Sequence, residues 1–154
     1  ARDLGLIVGS RCELIELHRT QAGSFDASMA CTMQQLTDAL HVYREHGDDR
    51  GIRRLICPIE RLLSHLPKLV VKDGAAAAVS HGASLARPGV VKATPGIKAG
   101  SLILIESLKA EAVAVAELIV DTDTLVGISS GEIAKPKSVL MTPGTYPQSW
   151  SKSS

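Results

Sequence analysis

The residues of this chain that could do chemistry are few and scattered. Cys12, Cys31 and Cys57 are three in number, widely spaced, with no C-x-x-C pair. That argues against a zinc knuckle or a disulfide framework and fits reduced thiols in a cytosolic or nuclear protein. His41, His46, His65 and His81 have no cysteine or carboxylate at ligand spacing, so no metal is expected. Lys135 and Lys137 are two apart on a strand-like stretch, which puts both on one face. Two lysines on one face can straddle a phosphate path, or they can protect a solvated edge strand. Arg50, Arg53, Arg54 and Arg61 can meet an anion or form a charged, solvated helix face, and the solvated face is the simpler reading.

The elements that must position these groups can be read from spacing. Residues 1–8 read as the end of a helix or an apolar turn, closed by Gly9-Ser10. Residues 12–20 alternate as a strand would, with Glu13, Ile15, Leu17 and Arg19 on one side. Residues 33–46 carry Met33, Leu36, Leu40 and Tyr43 at helical spacing, with Thr32 as N-cap and Gly47 as stop. Residues 51–57 are ambiguous. Pro58 opens a helix that Pro67 closes. After Pro67 the texture changes. Residues 68–72 read as a strand and 74–81 as a short helix ended by Gly82, with Ala75–Ala78 as a tightly packed face. Turn signals come next at Pro88-Gly89, Pro95-Gly96 and Gly100. Strands are expected at 101–106, 112–120, 124–128 and 135–141, with Pro136 at a strand start or edge. Short strands between Gly/Pro turns suggest a small β-barrel with one or two helices. A domain boundary is expected near 67–69, and a polar tail carrying Tyr146 and Trp150 after Pro143.

Composition bounds the function. The chain has 154 residues, 45% apolar and 21% charged, near globular averages. Collagen, coiled coil and wholesale disorder are excluded. Aromatics are 3%, which argues against a sheet that stacks bases on exposed rings. The net charge is +1, too small for a protein that grips nucleic acid by bulk charge. Any RNA contact should be local and shape-based. No apolar run reaches the roughly 20 residues of a membrane span, so no membrane partner is expected. The Ala-Arg-Asp start carries neither an initiator Met nor a signal pattern and reads as cut from something longer.

The strings KDGAAAAVSHGASLARPGV (72–90), GEIAKPKSVLM (131–141) and TYPQSW (145–150) resemble the C-terminal half of the dyskerin-like H/ACA pseudouridine synthases. GLIVGS (5–10) and ELHRTQAGSF (16–25) look like the family's stretch around its arginine motif. CTMQQLTDAL (31–40) and CPIERLL (57–63) look like the family's residues just after that motif. The resemblance implies an α+β chain. Residues 1–67 would be the C-terminal part of the pseudouridine synthase catalytic domain and 68–142 a PUA pseudo-β-barrel that holds RNA by shape. Residues 143–154 would be a tail packing back on the catalytic part. It also implies conversion of uridine to pseudouridine in rRNA by the complete protein, in the nucleus and nucleolus. A guide RNA and small H/ACA particle proteins would be partners, and no cofactor is implied. The family's groove for the ACA end of the guide RNA lies between the first PUA helix and the last strand. That would place Lys72, Gly82, Ala83, Leu85, Pro88, Gly89, Lys135 and Lys137 near RNA.

The chain also departs from the family. Remaking a glycosidic bond calls for a carboxylate near the ribose and ring, and a cation to keep it ionised. The family's catalytic aspartate motif has no counterpart among these residues; Asp26, Asp38, Asp48 and Asp49 stand in the wrong context. Where the family places its arginine, this chain has His18. An imidazole, with an ordinary pKa near 6.5, is a poorer permanent counter-ion than a guanidinium. Arg19 would point to the opposite face of a strand. The expectation is RNA docking without isomerisation by this chain alone. A natively short RNA-binding adaptor and a domain that binds only protein are the rivals. For Gly82-Ala83 and Pro88-Gly89, tight turn geometry competes with close approach to RNA.

Overall fold

The structure is a computed structural model that describes residues 1–147. It divides into two compact units, residues 1–57 and residues 58 onward.

The first unit is built from local signals. Helix α1 (Arg2–Val8) ends at Gly9 in the left-handed region. Strands β1 (Gln21–Ala22) and β2 (Phe25–Asp26) form a two-residue antiparallel hairpin. Helix α2 (Met33–His46) starts with a complete capping box: Gln35 N–H donates to Thr32 Oγ1 at 3.2 Å, and Thr32 N–H donates to Gln35 Oε1 at 2.8 Å. Gly47, at φ 69°, stops it. Helix α3 (Arg50–Leu55) comes next. The strand expected over 12–20 does not form. That segment has no regular secondary structure, and Ile15 is 95% exposed. Alternation alone does not make a strand; its backbone groups need a neighbour to pair with.

The second unit opens with α4 (Ile59–Leu62), capped by Pro58. It is shorter than expected: Ser64 Oγ donates to the Arg61 carbonyl and the His65 ring nitrogen meets the Leu62 carbonyl, turning the chain early. Then come β3 (Lys68–Val71), α5 (Asp73–Ser80), β4 (Leu85–Ala86), β5 (Val90–Ala93), β6 (Leu102–Glu106), β7 (Ala112–Leu118) and β8 (Glu132–Val139). The six-stranded sheet has the order β4-β8-β7-β6-β3-β5. Only β3 and β6 pair in parallel; the other ladders are antiparallel. Register slips in four of the five ladders bend the sheet into a pseudo-barrel.

Apolar side chains from the strands fill this barrel. Leu69, Val71, Ile103, Ile105, Val113, Leu118 and Ile133 form one cluster with Ala76, Ala77 and Val79 of α5. Each fully buried Leu or Ile contributes about 1.5–3 kcal/mol relative to exposure. The alanine run is a packed helix face, as its composition suggested.

Three expectations need correction here. Residues 122–126 are a 3-10 turn, not a strand. Thr124 donates through both its amide and its hydroxyl to the Asp121 carbonyl, and Thr122 is tied to Ile97; such local bonds compete with a ladder. Pro136 lies inside β8 rather than at its start, though at a local edge where only β7 pairs with it. There β4 has already ended and the ladder to β7 slips between Val115 and Ala116, a place that tolerates a missing N–H. Tyr146 does not leave the second unit: its ring is buried in that unit's core, and its hydroxyl donates to Glu111 Oε2 at 2.5 Å. Trp150 lies outside the described residues.

Candidate nucleic-acid interface

The residues that the resemblance places near RNA lie at the two ends of α5, in the Arg87–Gly89 turn, and on β4 and β8. Lys72 stands at the N-cap of α5 and its amide donates to the Gly89 carbonyl at 2.9 Å. Pro88 and Gly89 belong to the 3-10 turn Arg87–Gly89. Gly89 packs so closely on α5 that a Cβ there would sit 2.5 Å from Ala75 Cβ. Its lack of a side chain thus serves a helix–turn contact. Leu85 of β4 pairs with Ala134 of β8, one residue before Lys135. At the far end of α5, Ala83 N–H bonds back to the Ala78 carbonyl, and Gly82 takes φ 87°, which an L side chain would resist.

Exposure separates these residues. Lys72, Gly82, Ala83, Pro88, Lys135 and Lys137 are exposed, and Gly89 is half-buried. Leu85 is 1% exposed. Its side chain is core, so it has only backbone to offer a ligand; a lone Leu between Ser84 and Ala86 gave no sign of this in sequence.

Lys135 and Lys137 do share a neighbourhood, and a carboxylate sits in it. Lys135 is in register with Glu117 of β7, while Lys137 is the extra residue where the ladder slips. Lys137 Nζ lies 2.5 Å from Glu117 Oε2. The hydrogen bond from Lys137, then its charge and that of Lys135, hold the Glu117 carboxyl below its ordinary range. Sequence reasoning missed Glu117 because β7 and β8 meet only through the register. Lys72 and Lys135 make no ion pair among the described residues.

Arg87 was missed as well. Its Nε donates to the Leu125 carbonyl at 2.8 Å and its Nη1 to the Val90 carbonyl at 3.4 Å. It staples the Arg87–Gly89 turn to the 122–126 turn beside a concavity of about 350 Å³. Its place within RPGV was the available signal.

In the first unit, His18 lies against Glu16, two residues away, and both are about three-quarters exposed. Nothing encloses the pair. Arg50 forks onto both oxygens of Asp48, at 2.7–3.1 Å, and this hydrogen bonding pushes the Asp48 carboxyl down to about 2. Arg53 pairs with Asp49 at 2.6 Å. These two arginines face their own carboxylates, the solvated-face reading. No cluster of three or more metal-ligating side chains occurs among the described residues, and no helix there is long and apolar enough to cross a membrane.

Comparison with known proteins also divides the chain in two, but between residues 64 and 67, which leaves α4 with the first part. The family model for the tRNA pseudouridylate synthase B C-terminal domain matches residues 1–64, and that for the PUA domain matches residues 67–140. The chain therefore carries a domain of the tRNA pseudouridylate synthase B C-terminal type followed by a PUA domain. "Probable tRNA pseudouridine synthase B" of Methanosarcina barkeri is 41% identical over 150 residues, 97% of this chain and 44% of that protein. The protein of the same name from Methanocaldococcus jannaschii is 39% identical over 97% of this chain and 45% of its own length. Among solved structures, an H/ACA RNP bound to a substrate RNA containing 2′-deoxyuridine aligns with TM-score 0.85 and 36% identity, over 96% of this chain and 47% of that one. An archaeal box H/ACA sRNP Nop10–Cbf5 complex aligns with TM-score 0.85 and 38% identity, over 96% and 48%. In sequence and fold, this chain is similar to the C-terminal region of the dyskerin-like branch of the pseudouridine synthases. It spans a little under half the length of these relatives.

Proposed function

We propose that this chain is the RNA-docking portion of an H/ACA guide-RNA-dependent pseudouridine synthase. The observation that carries the reading is the alignment of both units, in order, with H/ACA particle structures over 96% of the chain. The pseudo-barrel supports it with neighbouring elements: α5 packs against both the Arg87–Gly89 turn and β8, and Lys72 and Lys135 are exposed beside them. Backbone and small side chains at Gly82-Ala83 would let a nucleotide overhang approach, and the lysines would hold phosphates. Small H/ACA particle proteins and rRNA would complete the assembly, with the nucleolus as its location. The aspartate motif needed for isomerisation is not among these residues, so the chain alone would dock RNA without converting uridine.

Filter binding of a hairpin RNA with a single-stranded 3′ ACA end, over a salt series, tests the docking. Affinity should fall with salt, because neutralised phosphates release counterions. Weak, salt-independent binding would instead favour a protein-binding domain. Incubation with guide RNA, substrate and particle proteins should yield no pseudouridine; its formation would refute the inactive half.

A second reading of the substrate has its own support. The curated relatives carry tRNA in their names. Competition between tRNA and the ACA hairpin for this chain separates the two: preference for tRNA would move the substrate class from guide-RNA-directed rRNA to tRNA.

A further inference from the structure

We propose that Glu117 is a specificity-determining residue: an internal counter-ion that competes with phosphate for Lys137 and so limits non-specific RNA binding at the β8 face. This rests on the reading that β8 faces RNA.

The geometry argues it in three steps. Lys137 is the bulged residue of β8, placed where its ammonium reaches Glu117 Oε2 at 2.5 Å. Glu117 lies in register with Lys135, so one carboxylate sits beside two cations that would otherwise present adjacent positive charges. Neither side chain of the pair is enclosed: Lys137 is 54% and Glu117 42% exposed. An exposed pair of this kind is worth well under a buried one, so a phosphate can displace the carboxylate, but only by offsetting the pair it breaks. A loosely held RNA that offers phosphate alone meets this cost with nothing to set against it. An RNA whose overhang also fills the groove by shape has other contacts that offset it. Other lysines are paired with carboxylates too: Lys98 with Asp121 at 2.8 Å, and Lys68 with Glu106, here a buried carboxylate, at 2.6 Å. The pseudo-barrel thus keeps several lysines paired internally, in keeping with a net charge of only +1 and with recognition by shape rather than bulk charge.

The test uses the full chain with two fluorescent probes: the ACA-ended hairpin and a hairpin of equal length with a blunt, unrelated end. Glu117→Gln should tighten binding of the blunt hairpin roughly two- to fivefold at low salt. It should also steepen the dependence of log K on log salt by about 0.7–0.9, the mark of one more phosphate contact. The ACA hairpin should gain less, so preference for it falls. Glu117→Asp, which keeps the charge, should restore most of the wild-type preference; thermal melts confirm that each variant is folded. If Lys137→Ala weakens binding while Glu117→Gln changes neither affinity nor slope, the counter-ion role is wrong and β8 docking stands. If neither Lys137→Ala nor the Lys135→Ala/Lys137→Ala pair affects binding of either hairpin, the RNA-facing reading of β8 fails and takes this inference with it.

Discussion

Residues 1–57 and residues 58–147 are written in the same local grammar, and they achieve very different degrees of burial. In the first unit, α2 has a capping box and a glycine stop, yet Ala39 is its one buried apolar residue among those described. Leu6, Ile7, Leu14, Ile15 and Leu17 face solvent. In the second unit, an eight-residue helix with no side-chain cap buries four residues, because a six-stranded sheet curls beneath it. Capping and periodicity decide where an element begins and ends. Only a partner surface turns it into a core.

The largest expected effects come from testing that contrast directly. Ile105 is fully buried in the pseudo-barrel and Ile15 is almost fully exposed. Ile105→Ala should cost about 2–5 kcal/mol in denaturant unfolding, from lost transfer energy plus a cavity. Ile15→Ala should change stability by no more than about 0.5 kcal/mol. Hydrogen exchange should agree, with amides of β6 and β7 far more protected than those of residues 1–57. Equal protection in the two units would break the comparison.

Next in size is the helix–turn contact. Gly89→Ala should cost about 1–3 kcal/mol, since the new methyl group would sit 2.5 Å from Ala75 Cβ and the turn must move. Adding Ala75→Gly should recover part of the loss despite the helix penalty of glycine, so the two changes should be non-additive. Additivity would show that the turn relaxes freely and that the tight approach is not what fixes the face beside Lys72.

The sequence was legible where a local cause suffices. Thr32 and Gly47 bracket α2 as their types suggest, and the residues of 112–118 and the alanine run of α5 form a strand and a packed helix. It misled where the cause is long-range. Residues 12–20 alternate but meet no ladder. The Thr122–Val126 stretch has strand residues but folds on its own Asp and Thr groups. Strands β4 and β5 were hidden by their length and by Pro88-Gly89 between them. The candidate site divides the same way. The lysines and Gly82-Ala83 could be named from their strings, but Leu85's burial and Glu117's place beside Lys137 arise only from β4 and β7 pairing with β8.

The capping box offers a smaller test of the first unit. Thr32→Ala should cost about 1 kcal/mol of helix stability. With so little burial to back it, the loss should appear as faster exchange in the first turns of α2 and leave the unfolding midpoint of the second unit unchanged. A shift of that midpoint would mean that the two units unfold together, and the contrast between them would have to be redrawn.

The smallest expected effect is electrostatic and sits at the end of the second unit. Tyr146 donates to Glu111, Ser107 donates to the same carboxylate at 3.1 Å, and Lys109 lies 5.5 Å above the tyrosine ring. The Tyr146 hydrogen bond, then that of Ser107, holds the Glu111 carboxyl below 4.5, and the same carboxylate raises the Tyr146 hydroxyl above 10.0. The two shifts describe one interaction and count once. On the acid side, the depressed carboxyl gives stability that is present above its unfolded value and lost as pH falls through the folded one. On the alkaline side, the raised phenol gives stability that is full below 10.0 and lost as pH climbs toward its folded value. Tyr146→Phe removes the alkaline slope and the larger part of the acid one. Melting temperatures measured from about pH 7 down to about pH 3 should therefore fall less steeply in the variant than in the wild type. Parallel curves would mean that burial of the ring alone fastens this segment to the pseudo-barrel.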